Sequence, residues 1–107
     1  MNITELTLKG NNATIPDFIA YYETIPEERW CVDLLTDGHN RCCARGHLGT
    51  IGYCETLLDA RLLKLAPDLV EHNNDEFNKD SGWWLDDRST LNSSAKARVL
   101  AYLRSLL

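Results

Sequence analysis

The chain has 107 residues, 44% hydrophobic and 25% charged, a size and balance that fit one globular domain able to bury a core without disulfides or a structural metal. Sixteen acidic against eleven basic side chains give a net charge of −5, which argues against broad nucleic-acid binding, since that needs a basic surface. No basic start followed by an apolar run opens the sequence, and no stretch reaches membrane-spanning length. The expectation is a cytoplasmic protein with no membrane partner, whose cysteines Cys31, Cys42, Cys43 and Cys54 are reduced thiols.

In chain order, the first segment is ambiguous. Ile3, Leu6 and Leu8 are too few to separate a helix from a strand, and Gly10-Asn11-Asn12 then breaks the chain. A helix is predicted next. Thr14 caps it, Pro16 suits its first turn, and Asp17 lies three residues after the cap. Phe18, Ile19, Tyr22 and Ile25 form its apolar side, and Pro26 ends it. Residues 27–36 fit a short helix or a strand. They lead into a turn at Thr36-Asp37-Gly38-His39-Asn40.

From Arg41 the pattern predicts helix through about Tyr53, weakened by Gly46 and Gly49. A second helix is predicted over 54–66. There Leu57, Leu58, Leu62 and Leu65 share a face, and Pro67 closes the segment. Residues 73–92 read as a long polar loop carrying Trp83 and Trp84. The last helix takes Asn92 or Ser93 as its cap. Val99, Leu100, Leu103 and Leu107 form its stripe, with Lys96, Arg98 and Arg104 toward water. These elements define a mainly α fold: one compact domain over 1–107, about four or five helices, with room for one short β-hairpin. The expected core is Phe18, Trp30, Cys43, Leu48, Leu58, Leu62, Val99 and Leu103.

The densest chemistry lies in RCCARGHLGT, residues 41–50. Cys43 and His47, one helical turn apart, could join Cys31 and His39, or Cys54, as zinc ligands. The spacing matches no standard zinc pattern. The preferred reading is a structural corner, with the thiols as small hydrophobes and the glycines allowing close approach. A cysteine nucleophile is the other chemical reading. Arg41 and Arg45 would lower the pKa of Cys42 or Cys43, His47 would be the base, and Asn73 or Asn74 would orient it. A Cys and a His on one helix leave little room for a substrate between them. No metal and no cofactor is expected.

The stretch EHNNDEFNKDSG offers calcium-type oxygens at Glu76, Asn78 and Asp80, with Asp87 beyond. Gly82 falls one place late for a helix-loop-helix calcium site and the closing Glu is missing, so a solvated turn is preferred. His72, just before it, reads as a surface or packing residue. Trp83-Trp84 reads either as an exposed aromatic anchor or as a lid over the core.

Three separated stretches resemble one group of proteins. PDFIAYYETIPEERWC resembles a segment ending I-P-E-x-x-W-C. RCCARGHLG resembles C-C-x-x-G-H-[LC]-G. EHNND followed by SSAKARVLAYLRSL resembles an Asn-Asp stretch leading to a K-x-R-[IV]-L-A-x-L helix. Such stretches occur in small uncharacterised proteins of phages, prophages and bacteria. The likeness spans most of residues 14–107. This chain departs from it by the enlarged FNKDSGWWLDDRST and by Leu48, where Cys is common, which removes one potential thiol ligand. The resemblance implies a small phage or mobile-element accessory protein and supplies no mechanism.

The functional expectation is therefore binding rather than catalysis: capture of a host protein, such as a defence component. Trp83 or Trp84 would supply the apolar anchor, and Asp86 and Asp87 would meet basic groups. The alternative is sequestration of a small ligand such as a nucleotide signal, with Arg41, Arg45 or Arg88 as phosphate partners. A Cys-His enzyme built on Cys42 or Cys43 with His47 ranks third.

Overall fold

A computed structural model describes residues 1–52, 54–75 and 94–107. Within them the protein is mainly helical, with five α-helices: α1 (Ile3–Lys9), α2 (Ile15–Glu23), α3 (Leu57–Leu65), α4 (Leu69–Asn74) and α5 (Ala95–Ser105). None of them is long and apolar enough to cross a membrane.

The ambiguous first segment is a helix because its start is capped at both positions. The Asn2 side chain accepts from the Glu5 N–H, and the Glu5 carboxylate accepts from the Asn2 N–H. Thr14 and Asp17 form the same reciprocal box at the head of α2. The backbone N–H of Thr14 is the main reason the Asp17 carboxyl is held below its ordinary pKa. Thr56 caps α3 by accepting from the Asp59 N–H. Ser94, rather than Asn92 or Ser93, caps α5 by accepting from the Ala97 N–H. Asp75 ends α4 in the left-handed region at φ 58°.

Helix α5 packs across α4 and α2, and α3 lies against the turn at Gly10–Asn12. Between them Leu6, Phe18, Tyr22, Leu62, Leu69, Val99 and Leu103 are fully buried. At roughly 1.5–3 kcal/mol for each large apolar side chain buried, this cluster dominates the stabilisation. Of the expected core, Phe18, Trp30, Leu48, Leu58, Leu62, Val99 and Leu103 are buried, whereas Cys43 is only partly so.

Several expectations are corrected. The predicted helix from Arg41 to Tyr53 does not form. Arg41–Cys43 is non-helical, with Cys42 in two isolated bridges, and is followed by a single 3-10 turn at Gly46–Leu48. Gly49, at φ 90°, ends that turn in a conformation that side chains resist. Helix α3 begins at Leu57, not at residue 54, because Cys54 bridges back to Ile51. Leu57 consequently sits outside the core at 73% exposure. Arg98 does not face water: it turns onto the end of α4 and donates to the carbonyls of His72 and Asn73. Leu107, past the end of α5, is exposed and does not extend the stripe. Among the described residues no hairpin strands form, only isolated bridges. The polar segment begins after Asn74, since Asn73 and Asn74 are the buried last residues of α4.

Candidate functional site

The RCCARGHLGT stretch is the middle of a three-ply corner. The Cys42 N–H donates to the Arg29 carbonyl at 2.9 Å, and the Cys31 N–H donates to the Cys42 carbonyl at 3.0 Å. This makes a parallel bridge between Trp30 and Cys42. On the other side the Asp37 N–H donates to the Arg41 carbonyl and the Cys43 N–H to the Leu35 carbonyl. That gives an antiparallel bridge between Thr36 and Cys42. The predicted turn closes this second pair. Gly38 and Asn40 take φ of 77° and 66°, which glycine and asparagine tolerate. Asp37 accepts from the His39 N–H and pairs with Arg41. The His39 N–H is the leading reason the Asp37 carboxyl lies below its usual pKa.

Two asparagines clamp the corner from α4. Asn73 is 1% exposed. Its Oδ1 accepts from the Ala44 N–H at 3.1 Å, and its Nδ2 donates to the Cys31 carbonyl at 3.1 Å and to Asn74 Oδ1 at 2.9 Å. Asn74 Oδ1 also accepts from the Asp33 N–H at 2.9 Å. That bond helps hold Asp33 in the left-handed region at φ 64°. A residue inside the loop is thus fixed by a residue on a distant helix.

A second clamp comes from α3. Asp59, wholly buried, receives the Arg45 guanidinium at 3.0–3.2 Å and the Thr50 hydroxyl. Glu55 approaches the same Arg45 at 3.6 Å. From α2, Tyr22 donates its hydroxyl to the Ala44 carbonyl and Tyr21 donates to the His47 carbonyl. Desolvation pushes both phenols above their ordinary pKa. The His47 ring packs on Trp30 with centroids 4.7 Å apart. Its Nε2 is buried and has no hydrogen-bond partner among the described residues. Burial lowers the His47 pKa to about 4, against an opposing pull from the backbone at Arg29. The ring is therefore neutral at physiological pH.

This geometry sorts the expected site residues. Cys31, His39, Cys43 and His47 are not brought together as ligands. Among the described residues no group of three or more His, Cys, Asp or Glu side chains could hold a metal ion. Cys43 and His47 are joined only through the backbone, by the His47 N–H to the Cys43 carbonyl at 3.0 Å. Cys43 lines a cleft, whereas the His47 ring packs on Trp30. Desolvation raises the pKa of Cys43, although the N–H groups of Gly46 and Arg45 oppose it. A thiol so placed is not an activated nucleophile. Asn73 and Asn74 orient Ala44, Cys31 and Asp33, not His47. Arg41 and Arg45 are already paired with carboxylates. His72 stacks on Tyr102 at 4.1 Å, a packing role. Trp83, Trp84, Asp86, Asp87 and Arg88 lie outside the described residues, as do Glu76, Asn78, Asp80 and Gly82.

What the corner presents outward is a short apolar loop. Val32 and Leu34 are 41% and 56% exposed. Beside them opens a cleft of about 160 Å³, walled by Leu34, Leu35, Cys43, Val70 and the two asparagines. Sequence inspection missed Asp59 and Thr50. An acid inside LLDARLL looks like part of a solvated helix face, and only the fold shows that this face meets Arg45.

Comparisons with family models, with curated proteins and with solved structures find no match to this chain.

Proposed function

We propose that the protein is a small non-enzymatic accessory protein of phage or mobile-element type that captures a host protein, such as a component of a defence system. The observation that carries this reading is the Val32–Leu34 loop. Apolar side chains are held outward on a backbone fixed by Asn73 and Asn74. Rigid presentation lowers the ordering cost of association, which favours a contact surface. The acidic balance of the chain suits a basic partner. On this reading Trp83 or Trp84 also supplies an apolar anchor, and Asp86 and Asp87 meet basic groups of the partner.

Support for an enzyme is thinner, because Cys43 and His47 are turned to different surroundings. A nucleotide-sequestering pocket would need free cations; Arg41 and Arg45 are paired with Asp37 and Asp59, which leaves that alternative resting on Arg88, outside the described residues.

The test is a pull-down from host lysate with immobilised protein, followed by identification and re-binding of the purified partner. Two variants accompany it: V32D with L34D, and joint replacement of Trp83, Trp84, Asp86 and Asp87 by Ala. The expected result is that each variant abolishes capture while the helical spectrum is unchanged. Capture that survives both variants removes the contact surface. A small molecule retained in native mass spectrometry, with no protein recovered, moves the function to the sequestering alternative.

A further inference from the structure

We propose that Cys31 and Cys43 are a reversible dithiol–disulfide pair, so that oxidation covalently closes the loop formed by residues 32–42. Register brings the two together. Trp30 and Cys42 are the partners of a parallel bridge, held by the Cys42 N–H to the Arg29 carbonyl and the Cys31 N–H to the Cys42 carbonyl. One residue beyond each partner of that bridge are Cys31 and Cys43. Side chains alternate along extended backbone, so Cys42 shares a face with Trp30, and Cys31 shares the opposite face with Cys43. Paired strands lie about 4.7–4.9 Å apart. A disulfide needs Cα atoms roughly 4.4–6.8 Å apart, so residues side by side in this register are within reach.

The same loop holds both residues. The Cys31 thiol donates to the Leu34 carbonyl at 3.3 Å, and the Cys43 N–H donates to the next carbonyl, Leu35, at 3.3 Å. Both cysteines are half-buried. After desolvation, the neighbour that most influences the Cys31 thiol is Cys43, ahead of Asp37 and Cys42. The other pairings fare worse. Cys42 and Cys43 are adjacent in sequence and point to opposite faces. Cys54 is exposed and bridges to Ile51 in a different loop.

The oxidant is a peroxide. One thiol, ionised, attacks it and gains an oxygen as sulfenic acid; the hydroxide released takes up the proton the thiol gave up and leaves as water. The second thiol attacks that sulfur, the S–S bond forms, and a second water leaves. Two thiols and one peroxide thus yield one disulfide and two waters. A dithiol reductant reverses the step. Because residues 32–42 include Val32, Leu34 and one wall of the cleft, the bond clamps the ends of the exposed loop. The chemistry stands apart from the proposed host partner and is tested without one.

The experiment treats the reduced full-length protein with graded hydrogen peroxide at neutral pH, then blocks free thiols and records intact and tryptic masses. Trypsin cuts after Arg29, Arg41 and Arg45, separating peptide 30–41 from peptide 42–45. The expected result is a monomer that takes up two thiol labels where the reduced protein takes up four, about 2 Da lighter apart from the labels, with those two peptides linked and the link released by dithiothreitol. Fragmentation of the linked peptide from the unsubstituted protein should place the bond on Cys43. C42S should keep the link and C43S should lose it. Linkage through Cys42 or Cys54, linkage only between molecules, or oxygen adducts without any link each overturn the proposal. The fragmentation result decides it even if C43S does not fold.

Discussion

Asn73 is the most informative single position. Replacing it with Ala removes its bonds to the Ala44 N–H, the Cys31 carbonyl and Asn74 Oδ1. The Ala44 N–H lies in the buried part of the corner and loses its hydrogen-bond acceptor, at about 1–3 kcal/mol. The Cys31 carbonyl is part-buried and is partly rescued by water, so about 1 kcal/mol is assigned to it. The cavity left by most of a buried side chain adds about 1 kcal/mol. The sum is about 4 kcal/mol, a large part of the roughly 5–15 kcal/mol that holds a domain together. At about 4 °C per kcal/mol for a chain this size, Tm should fall by roughly 16 °C. Urea unfolding followed by circular dichroism gives the free energy, and scanning calorimetry gives Tm. N73D serves as control. It keeps an acceptor for Ala44 but sets a carboxylate against the Cys31 carbonyl and Asn74 Oδ1, so it should rescue little at neutral pH. A loss below about 1 kcal/mol for N73A would refute the clamp, because even the single orphaned N–H predicts more.

Three further outcomes follow from the same corner. Burial holds the His47 pKa near 4 in the folded chain, whereas its unfolded value is 6.5, so the unfolded state binds the extra proton between those two pH values. Stability should therefore fall as pH drops from 6.5 toward 4, by about 2 kcal/mol after allowance for partial exposure. H47Q should flatten that slope in pH-dependent urea titrations, leaving the weaker contribution of His72, whose pKa is also lowered by burial. The lowered pKa values of Asp17 and Asp37 act in a separate window, below pH 3.8. G46A should cost roughly 2–4 kcal/mol or fail to fold, because a Cβ there would collide with the Leu35 carbonyl oxygen and lie 3.0 Å from the Cys42 Cβ; expression yield and thermal denaturation check it. D59A leaves Arg45 half-buried without its main partner and should lose about 2–3 kcal/mol, with D59N intermediate, as measured by urea unfolding.

How much of this was legible in the sequence depended on how local the causes are. The Thr14–Asp17 box, the apolar face of α2 and the stop at Pro26 are short-range effects, and they read correctly. The turn at 36–40 read correctly because Gly38 and Asn40 supply the positive φ it needs. The helix expected from Arg41 onward failed for a non-local reason. Cys42 and Cys43 spend their N–H groups on Arg29 and Leu35, not on a carbonyl four residues back. No periodicity within residues 41–53 contains that information. Arg98 was misplaced similarly. A charge on a predicted solvent face turned toward the carbonyls ending α4, whose exposed acceptors attract a guanidinium. Of the candidate site, the corner itself was visible from its two glycines, but its clamps were not. Asn73 stood in what looked like the start of a polar loop, and Asp59 in what looked like a wet helix face.

The corner also bears on why so much polar machinery converges on one short stretch. Two tyrosine hydroxyls, an asparagine and an arginine–aspartate pair all end on residues 44–50 or on the groups beside them. Burying so many polar groups is costly unless each is satisfied, and replacing them with apolar residues would often stabilise as well or better. Their common effect is to fix a backbone path that is neither helix nor sheet, and so cannot satisfy itself through a regular ladder. Fixing that path fixes the Val32–Leu35 loop, through the single bridges that flank it at Trp30–Cys42 and Thr36–Cys42 and through the bond from Asn74 to Asp33. Helices α2, α3 and α4 thus act as a frame that holds one irregular loop in one conformation. A loop so restrained loses little further freedom when a partner covers it, which is the physical sense in which this fold suits recognition.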